Sequence, residues 1–173
     1  MLKIATFFWQ MCLLKKGPEV LPSNRFVTGI VLVAYLITAI IVVLIVQPAK
    51  PVIDLIGTIA IGLCVQAAVT FLLLQFKGLK HRFQATFSAL LGTNAIMLIV
   101  ILPFNTILLN ADPGSLVVFA DSATWVCLGW WLAIAGNIYH RAVEISILQG
   151  SAVAFIIELL GVIIAYSVFP EAV

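Results

Sequence analysis

Charge is what this sequence has least of. Of its 173 residues, 9% are Asp, Glu, Lys or Arg and 64% are hydrophobic, with a mean hydropathy of +1.23. Soluble domains carry roughly 25% charged residues, so too few are present here to build a water-facing surface. That scarcity excludes a soluble enzyme, and a net charge of +2 is too small to point to nucleic acid as a partner. Cysteine is equally thin. Cys12, Cys64 and Cys127 stand alone in apolar segments, with no C-x-x-C pair and no zinc spacing, and read as small apolar side chains.

The chemical signatures of catalysis are missing too. No nucleophile elbow, Walker loop, H-E-x-x-H or Gly-rich dinucleotide fingerprint occurs. His81 and His140 have no further ligands at metal-binding spacing. One acid and two peripheral histidines do not make an intramembrane protease. No metal and no cofactor is expected, and a catalytic role is disfavoured.

What is present is a series of apolar runs. Five of them, about 26–46, 54–76, 83–104, 122–140 and 149–169, approach the roughly 20 residues a bilayer demands. Runs of that length favour helices over barrel strands. Ser23-Asn24 reads as a helix cap, Asp54 suits a helix N-terminus, and Pro103 is read as the exit of the third span. The first 16 residues look like a signal peptide, but Lys15-Lys16-Gly17-Pro18 follows in place of a small-residue cleavage site. Lys3, Thr6 and Gln10 form a narrow polar stripe there, so the segment is read as an interfacial helix with Phe7, Phe8 and Trp9 toward lipid or protein. Pro18 and Pro22 then break the chain. The expectation is an all-α polytopic membrane protein: residues 1–25 an interfacial amphipathic helix and linker, residues 26–173 a five-span bundle.

Positive charge fixes the expected orientation. Lys3, Lys15, Lys16, Arg25, Lys77, Lys80, Arg82 and Arg141 fall on one side of the spans, and Lys50 alone on the other. By the positive-inside rule the N-terminus is cytoplasmic and the C-terminus lies across the membrane, which fits a bacterial inner membrane. Lys15, Lys16, Lys77, Lys80, Arg82 and Arg141 are candidates for contact with anionic headgroups. His140, Arg141 and Glu144 form an i, i+4 cluster at a short loop. The segment 105–121 reads as an outward loop around an Ala-Asp-Pro-Gly turn.

Glu158 is the residue that demands an explanation, because it interrupts the apolar run AFIIELLGVIIAY. Insertion scales put an acid at the centre of a span at about 2.5–3.5 kcal/mol, so it should face protein or water. Counted from the basic ends of their spans, Glu158 lies about 13 Å in, Gln66 about 15 Å and Asn94 about 16 Å. The expectation is a clamp in which Gln66 or Asn94 donates to the acid, with a proton or ion site as the alternative. Small residues recur at four-residue spacing: Ala60, Cys64 and Ala68; Ala85, Ala89 and Thr93 beside Ser88 and Gly92; Gly150 and Ala154, then Gly161 and Ala165. That spacing lets helix backbones approach closely and is expected to serve packing within the bundle. The fourth run holds three of the four tryptophans. Trp125 suits an interface belt, and Trp130 or Trp131 a quinone or lipid slot.

The stretch YHRAVEISILQGSAVAFIIELL, residues 139–160, sets a basic residue, a short polar turn and a small-residue-rich last span in sequence. With five spans and almost no C-terminal tail, it resembles the bacterial members of the Ypt/Rab-interacting five-span family. The segment WQMCLLKKGPEVLPSNR also resembles proteobacterial inner-membrane proteins. The D-L-Y-G-P-type signature of the eukaryotic members is absent. The resemblance implies a small helical scaffold or accessory subunit, with no catalytic residues to carry over. The leading expectation is therefore an accessory subunit packed against lipids and other membrane proteins or itself. The alternatives are a small transporter or ion conductor using Glu158, Gln66 and Asn94, and a lipid- or quinone-contacting enzyme component.

Overall fold

The computed structural model describes residues 2–21 and 23–169, with side chains from residue 6 onward. Pro22 and the Lys3 side chain, which figured in the sequence reading, lie outside the described residues. Six helices follow one another: α1 (Leu2–Cys12), α2 (Arg25–Val46), α3 (Val52–Phe76), α4 (Phe83–Asn110), α5 (Ser115–Val143) and α6 (Ile147–Val168). The last five are long and apolar enough to cross a membrane. Large apolar side chains such as Ile37, Ile41, Leu72, Phe155 and Ile163 point outward along them. Only lipid suits such a surface. The chain is an all-α, polytopic integral membrane protein.

Local signals set several of the boundaries. Asn24 caps α2 by accepting from the Phe26 amide at 2.9 Å. Ser146 and Gln149 form a reciprocal capping box that starts α6 two residues earlier than the apolar run suggests. Asp54 lies in the first turn of α3, where the helix dipole favours an acid. The expected outward loop 105–121 is corrected: only residues 111–114 are non-helical. Pro103 sits inside α4 on an exposed face and does not end it; proline is tolerated within membrane-spanning helices. At 28 and 29 residues, α4 and α5 run about 42 Å each against a hydrocarbon core of about 30 Å. Each is about 12 Å longer than that core.

The packing order differs from the chain order. α4 is central and packs on α2 and α5; α6 packs on α5 and α3; α2 and α3, although consecutive, touch little. Residues 85–93 of α4 are buried on every side. The small residues explain this. Ala85, Ser88, Ala89, Gly92 and Thr93 are all buried, and the Phe8 ring of α1 lies where a Cβ on Gly92 would be. Gly150, Ala154, Gly161 and Ala165 are buried on α6. Gly136 and Gly150 meet backbone to backbone, so a Cβ on Gly150 would strike the Gly136 carbonyl. On α3 the expectation fails: Ala60, Cys64 and Ala68 face outward. The reason is that α3 turns its Gly62 and Gln66 face to the bundle instead.

α1 docks on α4 and α5. Phe8, Met11 and Cys12 are buried against the bundle while Trp9 is 50% exposed. The Trp130 indole donates to the Cys12 carbonyl at 3.0 Å. Trp130 lies thirteen residues from the Val143 end of α5, or about 20 Å along the axis.

A bulky residue at the α5–α6 contact should be poorly tolerated. Gly150→Leu is expected to destabilise the protein by about 1–3 kcal/mol, as overpacking does. Gly129→Leu, at a position open to space, should leave it unchanged. Unfolding in mixed micelles compares the two.

Candidate functional site

Several polar residues of the spans pair across helices. Thr70 on α3 and Tyr139 on α5 share a buried hydrogen bond of 2.8 Å. Ser88 on α4 donates to Thr28 on α2 at 2.9 Å, and Ser151 on α6 to the Leu132 carbonyl at 3.0 Å. The Trp131 indole donates to the Asn94 carbonyl oxygen. None of these pairings was foreseen from the sequence. A hydroxyl in an apolar run carries no mark of whether it bonds its own helix, as Thr38 and Thr93 do, or a neighbour.

Glu158 makes no such bond among the described residues. With the observed ends of α3, α4 and α6, Glu158, Gln66 and Asn94 lie about 15–17 Å from the same end of the bundle. All three line one cavity of about 170 Å³, together with Tyr35, Thr58 and Gly62. A second, more apolar cavity of about 390 Å³ adjoins it, lined by Met97, Leu98, Ile101, Cys127, Leu128 and Trp131. Tyr35, Asn94, Glu158 and Val162 border both.

The structure thus brings the three residues around one space, but the expected clamp is corrected. Among the described residues no hydrogen bond joins Glu158 to either amide. The Asn94 oxygen is engaged by Trp131, and the loose contact of α3 with α2 and α4 keeps the space between the spans open. The two tryptophans also separate in role: Trp131 walls the larger cavity, and Trp130 holds α1.

The basic end is built differently from the sequence expectation. His140, Arg141 and Glu144 do not form a cluster among themselves. Glu144 caps α5 in a left-handed conformation, φ 60°, and pairs with Arg82 of the α3–α4 connection at 3.1 Å. Arg141 pairs with Glu19 of the N-terminal segment at 2.7 Å. The left-handed cap turns Glu144 off the face that Arg141 shares, so each charge finds its partner on another element. Of the six cations read as headgroup contacts, Arg82 and Arg141 are engaged in these pairs. Lys15, Lys77 and Lys80 are exposed, and Lys16 sits over the Phe7 ring, 5.3 Å from its centre. Outside the spans, burial pushes the Cys12 thiol up to about 11, so it is no nucleophile at neutral pH. No group of three or more His, Cys, Asp or Glu that could hold a metal ion occurs among the described residues.

The fold and this site define a class: a five-span integral membrane protein with an unpaired acid beside a polar cavity at mid-span. Compared with protein-family models, curated proteins and solved structures, the chain matches none.

The Thr70–Tyr139 bond yields a measurable coupling. Membrane hydrogen bonds average about 0.6 kcal/mol and reach about 1.7 kcal/mol. Tyr139→Phe and Thr70→Val are each expected to destabilise within that range. A double-mutant cycle should show the two effects overlapping, since one bond is lost in either case.

Proposed function

We propose that the protein is a small membrane carrier or conduit that binds and releases a proton or cation at Glu158. One observation supports it: the acid nearest the middle of any span has no hydrogen-bond partner among the described residues and borders a cavity shared with Gln66 and Asn94. A carboxyl group is retained at such depth when it pairs, relays protons or meets an ion, and pairing within the protein is the option this geometry removes. Tyr35, Thr58 and the two amides supply polar contacts for an incoming ion or water. Orientation follows from the basic loops, with the N-terminus on the cytoplasmic side of a bacterial inner membrane and Lys15, Lys77 and Lys80 at the headgroups. The likeness to the Ypt/Rab-interacting five-span family is retained as a proposal about lineage.

The reading is tested in vesicles. Purified protein is reconstituted with a pH-sensitive dye inside, and a potassium gradient with valinomycin makes the interior negative. Wild type is expected to acidify the lumen at least ten times faster than protein-free vesicles, or to carry sodium or potassium in the parallel assays. Glu158→Gln should return the rate to the protein-free value. Equal rates for wild type and Glu158→Gln, or no ion flux from either, overturn it.

A second reading, an accessory subunit that associates through α3, is favoured by the outward face of Ala60, Cys64 and Ala68. Small residues at this spacing suit close helix–helix contact in lipid. Cys64 reports on it directly. In a variant with Cys12 and Cys127 replaced by Ala, oxidation in membranes should give a disulfide-linked dimer if a second copy lies on that face. A purely monomeric product removes self-association from this reading.

A further inference from the structure

The carrier reading says that Glu158 takes a proton or cation but not what kind of cation. The second cavity speaks to that. It is larger than the first and mostly apolar, with Met97, Leu98, Ile101, Cys127, Leu128 and Trp131 on its walls. A proton or a hydrated metal ion has no use for such a space. Asn94 to Ile101 spans seven residues of α4, so the slot runs about 10 Å along the helix from the level of the acid. It leads away from the basic end. Its volume of about 390 Å³ lies within the roughly 300–1,000 Å³ typical of small-molecule sites.

The chemistry at the junction selects the head of a ligand. The junction offers acceptors in the Glu158 carboxyl, the Gln66 carbonyl and the hydroxyl oxygens of Tyr35 and Thr58, beside the amide donors of Gln66 and Asn94, and Glu158 is its one ionisable acid. The Asn94 oxygen is already taken by Trp131. An ammonium group carries three donors and no acceptor, so it matches this set, and its charge complements the single carboxylate. A quinone or neutral lipid head presents carbonyl acceptors and would leave the acid unmatched. A calcium or magnesium ion would want more oxygen ligands, and more charge among them, than one carboxylate supplies.

We infer that the two cavities together bind a lipophilic amine, with its ammonium at Glu158 and its apolar tail in the slot ending at Ile101. This rests on the reading of Glu158 as a cation-binding group. The occupant reaches the site from the bilayer. Glu158 itself is exposed on the bundle surface, and an amphiphile that partitions into lipid is already at the right depth.

Two probes with one tail test the inference: 1-pyrenemethylamine, which is cationic, and 1-pyrenemethanol, its neutral counterpart. Binding to the purified full chain is read by energy transfer from tryptophan to pyrene, corrected for partition into empty micelles. The amine is expected to bind at least ten-fold tighter than the alcohol. Glu158→Gln should abolish that difference while leaving alcohol binding unchanged. Ile101→Trp, which fills the slot, should weaken both probes ten-fold or more, and Val162→Phe serves if that variant does not fold. Equal affinity of wild type for the two probes, a difference that survives Glu158→Gln, or tight binding with the slot filled overturns the inference. The outcomes also separate the two proposals. Ion flux in vesicles without probe binding removes the amine site and leaves the carrier. A Glu158-dependent amine preference without flux of any kind removes the carrier and leaves the site.

Discussion

Close approach of helix backbones is the constraint on which the rest of this molecule depends. Lipid offers no hydrophobic drive for helices to associate, so contact must come from shape and dispersion. Here that contact is concentrated at a few small residues. Gly136 and Gly150 bring α5 against α6, and the buried run on α4 from Ala85 to Thr93 draws α1, α2 and α5 around one central helix. Where no such residues meet, the helices stand apart. α2 and α3 are joined by a short turn yet touch little, and the cavities beside Glu158 occupy the space left between them and their neighbours.

Polar groups then sort according to that packing. Where backbones are close, short side chains span the gap, as Ser88 does to Thr28 and Ser151 to the Leu132 carbonyl. Where they are farther apart, a longer group reaches across, as Tyr139 of α5 does to Thr70 of α3. Glu158 borders the cavities left beside the loosely packed α2 and α3, and among the described residues no hydrogen bond reaches it there. Its availability is thus a result of helix spacing and does not depend on any special residue beside it. Net gains of about 0.6 kcal/mol per interhelical bond are small beside the energy of helix contact, so spacing decides which bonds form.

Much of the fold could be read from the residues, and the site only in part. Apolar length located all five spans, and Asn24 marked the start of the first of them. Helical rise alone placed Glu158, Gln66 and Asn94 at one level, because depth along a helix follows from counting. Rotation about the helix axis and packing order do not. That is why Ala60, Cys64 and Ala68 were assigned inward, and why Asn94 was offered to Glu158 when Trp131 holds it. The apolar cavity was illegible for the same reason: its walls are ordinary membrane residues drawn from four helices. Pro103 misled for a local reason, since proline is tolerated within membrane-spanning helices whose surroundings satisfy the freed backbone groups.

The docking of α1 has a consequence for the order in which the molecule is assembled. Its seat consists of Gly92 on α4 and the Trp130 indole on α5, both of which lie far downstream in the chain. During synthesis α1 therefore emerges before any part of its receptor exists. It must wait at the membrane surface through the insertion of four later helices, tethered by the segment that ends at Arg25. Docking of α1 therefore reports that α4 and α5 have come together, whether or not α6 has yet joined them.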